Sequence, residues 1–119
     1  IARFLGRYRI GYQYEHPVSV YDRGQLRIWY PDFRLPDYEI IIEYFGVNGD
    51  PDYDRGAQRR REVYRQNGIE GLYLTRASFQ GDWPGRILNQ IEATLRDRID
   101  RFYHQTGLLK KCPLPSVIR

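Results

Sequence analysis

The spacing of apolar positions changes period along this chain, and each change predicts an element. Ile1, Phe4, Leu5 and Tyr8 recur at helical steps, so residues Ile1 to Ile10 read as the last turns of a helix, with Gly11 as its stop. Tyr12 to Tyr21, rich in Tyr and Val, reads as a strand. Asp22-Arg23-Gly24-Gln25 is a turn, Leu26 to Phe33 a second strand, Leu35-Pro36-Asp37 the next turn, and Glu39 to Phe45 a third strand. Turns this short predict an antiparallel meander. Gly46 to Gly56 is a polar loop in which Asp54 is placed to cap a helix over Arg55 to Asn67, ended by Gly68. Ile69 to Arg76 is a fourth strand. Because a helix precedes it, it is expected to run parallel to the third strand through a right-handed crossover. After a loop over Ala77 to Gly81, Pro84 sits in the first turn of a last helix. There Ile87, Leu88, Ile91, Leu95, Ile99 and Phe102 form an apolar stripe reaching about His104. Residues 107–119, with Cys112, Pro113 and Pro115, read as an irregular tail. The predicted order is helix, three-strand meander, helix, strand, helix: an α/β domain with a central mixed sheet.

One position does not fit its surroundings. Ile40, Ile41 and Ile42 precede Glu43, and Tyr44 and Phe45 follow it. A run apolar on both phases predicts a strand buried on both faces. A carboxylate inside it must be paired, metal-bound or protonated, because an isolated buried charge is very costly.

Composition narrows the choices. The 119 residues suit one domain, and eleven Tyr, five Phe and two Trp supply a core. Net charge is +4, carried almost wholly by arginine, since Lys110 and Lys111 are the only lysines. Arginine favours bidentate contact with phosphate and carboxylate; a modest positive charge also serves solubility. The single Cys112 excludes an internal disulfide and a cysteine-rich metal site, which fits a cytoplasmic, reducing location. No apolar run reaches the roughly 20 residues of a membrane span, so no membrane partner is expected. The chain begins at Ile1 and reads as a fragment or a trimmed piece of a longer protein.

Asp32 offers Glu43 a partner. Pro31 before it marks a strand end, edge or bulge, which would re-aim the aspartate. Across the Leu35–Asp37 turn, Glu43 lies about as far from the turn as Asp32 does. Two carboxylates brought close repel unless a cation sits between them, and a hard divalent ion with waters and phosphate oxygens suits such a pair. The alternative is plainer: Asp32 caps the turn and Glu43 pairs with one of the arginines.

Pro31-Asp32, a gap of ten residues, then Ile-Ile-Glu43-Tyr-Phe-Gly46, on the second and third strands of this element order, resembles the PD-(D/E)xK nuclease superfamily. Within it, the wording PDF…LPDY…IIEYFG is most similar to Vsr-like domains and to the C-terminal nuclease-like segment of helicase-IV-type proteins. Tyr14-Glu15-His16-Pro17 on the first strand, and Arg60, Tyr64 and Gly68-Ile69 further on, extend the resemblance over about residues 10 to 76. The resemblance implies a restriction-endonuclease-like fold and Mg²⁺-dependent hydrolysis of DNA phosphodiesters, with Mn²⁺ able to substitute. It implies Asp32 and Glu43 as metal ligands, with the main-chain carbonyl of Tyr44 as a further one. DNA is the implied partner, with a homodimer or covalent fusion to a larger DNA-processing protein as the implied assembly.

The motif's lysine belongs two residues after Glu43, where this chain has Phe45. In some relatives the basic residue stands on the following helix, and the matching position here is Arg60. Arginine can stabilise charge at a phosphate but stays protonated and cannot act as a base. A catalytically inactive module that binds DNA or a protein is therefore the second reading. Glu15 is a further candidate for the metal shell, and His16 for proton transfer near neutral pH or DNA contact. Gln58, Arg59 and Arg61 beside Arg60 are candidate phosphate contacts. Arg59 and Arg61 read equally well as a solvated helix face partnered by Asp54 and Glu62.

Overall fold

The structure, a computed structural model, describes residues 1–46 and 49–106. The expectations for the tail at 107–119, and for Val47 and Asn48 of the polar loop, lie outside the described residues. By contacts between residues the chain divides into two compact units, Ile1–Gln80 and a second beginning at Gly81.

The first unit opens with helix α1 (Ala2–Arg7), which buries Phe4 and Leu5. It stops earlier than Gly11. Arg9 takes a left-handed φ of 56°, and the N–H groups of Arg9 and Ile10 return to the carbonyls of Gly6 (3.2 Å) and Leu5 (2.9 Å). That is the Schellman closure usually made by glycine.

The meander is present in connectivity but not as three strands. The first expected strand is divided into β1 (Gln13–Tyr14) and β2 (Val18–Asp22), and the second into β3 (Gln25–Trp29) and β4 (Phe33–Leu35). Together with β5 (Ile40–Phe45) and β6 (Glu70–Thr75), they make a four-stranded sheet ordered β1-β4-β5-β6 and a separate two-stranded sheet β2-β3. The register does not change across the division: Tyr14 pairs with Phe33 on one side and Val18 with Trp29 on the other. Residues 15–17 and 30–32 are passed over on the two strands. Two local features explain the break. Prolines at 17 and 31 cannot donate to a ladder, and Glu15 takes a left-handed φ of 46°. The hairpin tip is a two-residue turn, Arg23-Gly24, with both φ positive (53° and 77°), the type that matches strand twist.

β5 pairs antiparallel with β4 and parallel with β6, so the sheet is mixed and β6 runs parallel to β5 as expected. The helix in that crossover, α2 (Pro51–Gln66), starts four residues before the expected Arg55. Asp50, not Asp54, is its cap, accepting from the N–H groups of Asp52 (3.0 Å) and Tyr53 (3.4 Å), and Pro51 fills the first helical position, where its missing N–H costs nothing. Its end is the expected one. Gly68, at φ 70°, donates to Arg65 and Ile69 donates to Tyr64, both at 3.0 Å.

α2 lies over the sheet face that carries Ile41 and Tyr73. Val63 and Tyr64 of α2, Val20 of β2 and Ile41 of β5 form a buried cluster, with Val18, Trp29, Ile69 and Tyr73 packed around it. The hairpin is fastened to the end of α2 by one side chain. Asn67 accepts from the Tyr21 N–H (2.8 Å) and donates to the carbonyls of Tyr21 (3.0 Å) and Val63 (2.8 Å).

Arg76, expected to end the fourth strand, and residues 77–79, expected as loop, form a short 3-10 turn. The second unit contains α3 (Trp83–Thr106), with Pro84 in its first turn. Ile87, Ile91 and Leu95 of the expected stripe are buried, whereas Phe102 at its far end is exposed. No helix among the described residues is long and apolar enough to cross a membrane.

Candidate active site

Glu43 points to the face covered by α2, as residues 41 and 45 of the same strand do. It is 4% exposed. Both of its oxygens are engaged: Oε1 accepts from the Asp32 N–H (2.9 Å), and Oε2 takes an ion pair with Arg60 Nε. Asp32 returns the contact one residue further on, where its Oδ2 accepts from the Tyr44 N–H (2.7 Å). The two acids are therefore locked reciprocally, each carboxylate on main chain of the other's stretch of chain. The break in the ribbon makes this lock available. Leaving the ladder at 30–32 frees the Asp32 N–H for a side chain, and the Glu15 N–H still reaches the Asp32 carbonyl at 3.2 Å.

Arg60 is held on three sides. Beyond Glu43, its guanidinium lies over the rings of Trp29 (4.7 Å) and Tyr64 (5.5 Å) and donates to the Tyr64 hydroxyl (3.2 Å). Its side chain keeps 30% of its surface open to solvent. Burial pushes the Glu43 carboxyl above its ordinary range, and Arg60 and the Asp32 N–H oppose that rise without cancelling it. Burial acts to lower Arg60, but the hydrogen bond and charge of Glu43 outweigh it and hold the guanidinium above its usual value. Tyr64 is also raised by burial, and burial pushes Tyr73 up to about 12.

Phe45, two residues after Glu43, faces the same way as Glu43 and stacks on Tyr73, with ring planes 6° apart at 6.0 Å. Apolar packing occupies that position, and the cation reaches Glu43 from the helix instead.

The three consecutive arginines leave α2 in three directions. Arg59 pairs with buried Asp22 of β2, which Arg27 also approaches at 3.5 Å, and the Arg59 hydrogen bond holds the Asp22 carboxyl below its usual range. Arg60 turns to Glu43, and Arg61 lies over the Tyr73 ring at 5.0 Å. Gln58 is exposed on the same helix. The expected partner Glu62 instead takes Arg65, with Nε to Oε2 at 2.9 Å. Sequence reasoning did not single out Asp22, Trp29 or Asn67. Asp22 was assigned only to a turn, and its pairing depends on where α2 lies.

Glu15 and His16 are both exposed. Glu15 reaches the site through its main chain, and among the described residues no three His, Cys, Asp or Glu side chains gather as a metal-binding group. The donor set that is present is hard: the Asp32 and Glu43 carboxylates and the Tyr44 carbonyl. The Tyr44 N–H points to Asp32, and in an extended strand the carbonyl of the same residue points the same way. Each carboxylate oxygen keeps a second lone pair. Hard oxygens are the type a divalent ion takes; here Glu43 is already paired with Arg60, and both carboxylates accept from main-chain N–H groups.

No protein-family model, curated protein or solved structure matches this chain.

Proposed function

We propose that this chain carries a Mg²⁺-dependent nuclease site that hydrolyses DNA phosphodiesters, in a restriction-endonuclease-like setting. The observation that carries the reading is the convergence of Asp32 from the break between β3 and β4, Glu43 from β5 and Arg60 from α2. Asp32, Glu43 and the Tyr44 carbonyl would hold the ion. A bound Mg²⁺ lowers the pKa of its water and neutralises charge growing on a phosphoryl group. Arg60, always protonated, takes no proton; its solvent-facing part offers a fixed positive charge to a phosphate. The Trp29 and Tyr64 rings beneath the guanidinium limit its motion. His16, next in sequence to Glu15, is the candidate for proton transfer and is open to solvent.

The test is plasmid nicking in Mg²⁺ or Mn²⁺. The parent should cut, and Asp32→Asn and Glu43→Gln should each abolish cutting while keeping the parent's circular dichroism spectrum. Variants that cut like the parent would reject the site.

One observation favours a second reading, a non-catalytic DNA-binding module: Phe45 replaces the motif's lysine and Arg60 is tied to Glu43. Salt-dependent DNA binding with no nicking in any divalent ion would establish it.

A further inference from the structure

The two edges of the β2-β3 hairpin are not alike. Asp22 and Gln25 flank the two-residue turn, so they form a hydrogen-bonded pair. The pairs Tyr21 with Leu26 and Ser19 with Ile28 are then non-hydrogen-bonded, with N–H and C=O groups pointing out of the hairpin. On the β2 side Asn67 takes both outward groups of Tyr21. On the β3 side the outward groups belong to Leu26 and Ile28, and among the described residues nothing pairs with them. These residues are 60% and 49% exposed, with Tyr21 at 64% across the hairpin and Tyr30 at 57% just beyond.

An open edge with apolar flanks is a template for strand addition. We propose that β3 pairs antiparallel with β3 of a second copy of this chain, about a twofold axis at Ile28. The sequence of the edge argues for this occupant. In that register Ile28 faces its own mate, Leu26 faces the second copy's Tyr30, and Arg27 faces the second copy's Trp29. No like charges oppose. Centring the pair on Arg27 instead would set two guanidinium groups opposite one another, which is unfavourable. The resulting four-stranded sheet joins the exposed Tyr21, Leu26 and Ile28 of both copies on one face. The contact is short, so the dimer is weak and depends on concentration. This inference does not rest on the nuclease reading.

The register can be tested by cross-linking. Mates in an antiparallel pair stand about 5.5 Å apart, within disulfide reach. In a Cys112→Ser background, Ile28→Cys should give a covalent dimer on mild oxidation. Leu26→Cys should cross-link several-fold more slowly, because its mate lies four residues along the strand. Sedimentation equilibrium of the unaltered chain from micromolar to millimolar concentration should show reversible dimers. Ile28→Lys should weaken them by about tenfold with an unchanged circular dichroism spectrum. A chain that stays monomeric throughout overturns the proposal, even if it binds DNA or an extended peptide along β3. Equal cross-linking at 26 and 28, or dimers indifferent to Ile28→Lys, also overturns it and assigns self-association to another surface.

Discussion

Glu43 and Arg60 form a pair whose two members are not equivalent for stability. Removing Arg60 leaves a buried carboxylate uncompensated, a change that typically costs about 3 kcal/mol or more. Arg60→Ala should therefore destabilise the domain at pH 8, and much of the loss should return at acid pH, where Glu43 can take a proton. Glu43→Gln should behave oppositely. A carboxyl raised in the folded state contributes stability below its unfolded pKa, and this is lost as pH rises through the raised value. Relative to the parent, the Gln variant should thus gain as pH rises from 4 to 8. Urea midpoints of parent and both variants across that range check both signs; a parent-to-Gln difference independent of pH would contradict the raised carboxyl. At this scale the sequence was partly legible. Glu43 in a run of apolar residues announced a partner, and an arginine, not named, was one of the two partners the sequence allowed. What could not be read was that Asp32 would meet Glu43 through its N–H rather than its carboxylate. That contact depends on the chain leaving the ladder at Pro31.

Elements are joined here by few but well-formed contacts, and Asn67 is the plainest of them. Its amide stands in for a neighbouring strand at Tyr21 while closing the end of α2. Asn67→Ala should lower stability by about 2 kcal/mol, since it leaves several main-chain groups less well satisfied. Asn67→Asp keeps the acceptor for the Tyr21 N–H but sets a carboxylate against two carbonyls, and it should not restore the loss. Thermal melts of the three proteins decide the point, and an Ala variant as stable as the parent would show that water replaces the amide. Apolar patterning and turn residues were enough to predict β5, β6 and α3 nearly as they stand, and the end of α2. The boundaries that failed did so for local reasons. Asp50-Pro51 is a stronger helix start than Asp54 because Pro51 fixes φ at the first position. Arg9 closes α1 in a conformation for which a sequence reading looks to Gly11. The division of the ribbon was signalled by Pro17 and Pro31, yet alternation alone continues through both.

Across the whole molecule the net charge of +4 comes from arginines, but those on α2 are not interchangeable. Arg59 is committed to buried Asp22 and Arg60 to Glu43, whereas Arg61 only rests on a ring. On the DNA-binding reading, affinity should fall linearly on a log–log plot against salt. Arg61→Ala should weaken binding and flatten that slope by about one, with little effect on melting. Arg59→Ala should instead lower the melting temperature. Fluorescence titrations over a salt series, beside melts, separate the two, and equal effects on both properties would refute the division of labour. Composition could count these arginines but not assign them, because their directions depend on how α2 is rotated over the sheet. The ribbon's constant register has its own outcome for how chains of this design can vary in length. Residues 15–17 and 30–32 match one another in number, so paired losses or gains leave every side chain on its face. An unpaired one would carry Val20 and Trp29 outward and Tyr21 and Leu26 inward, unless a bulge absorbed it. The irregular stretches that could absorb it, 15–17 and 30–32, are joined where the Glu15 N–H meets the Asp32 carbonyl, so an unpaired indel in the ribbon becomes a change beside the site.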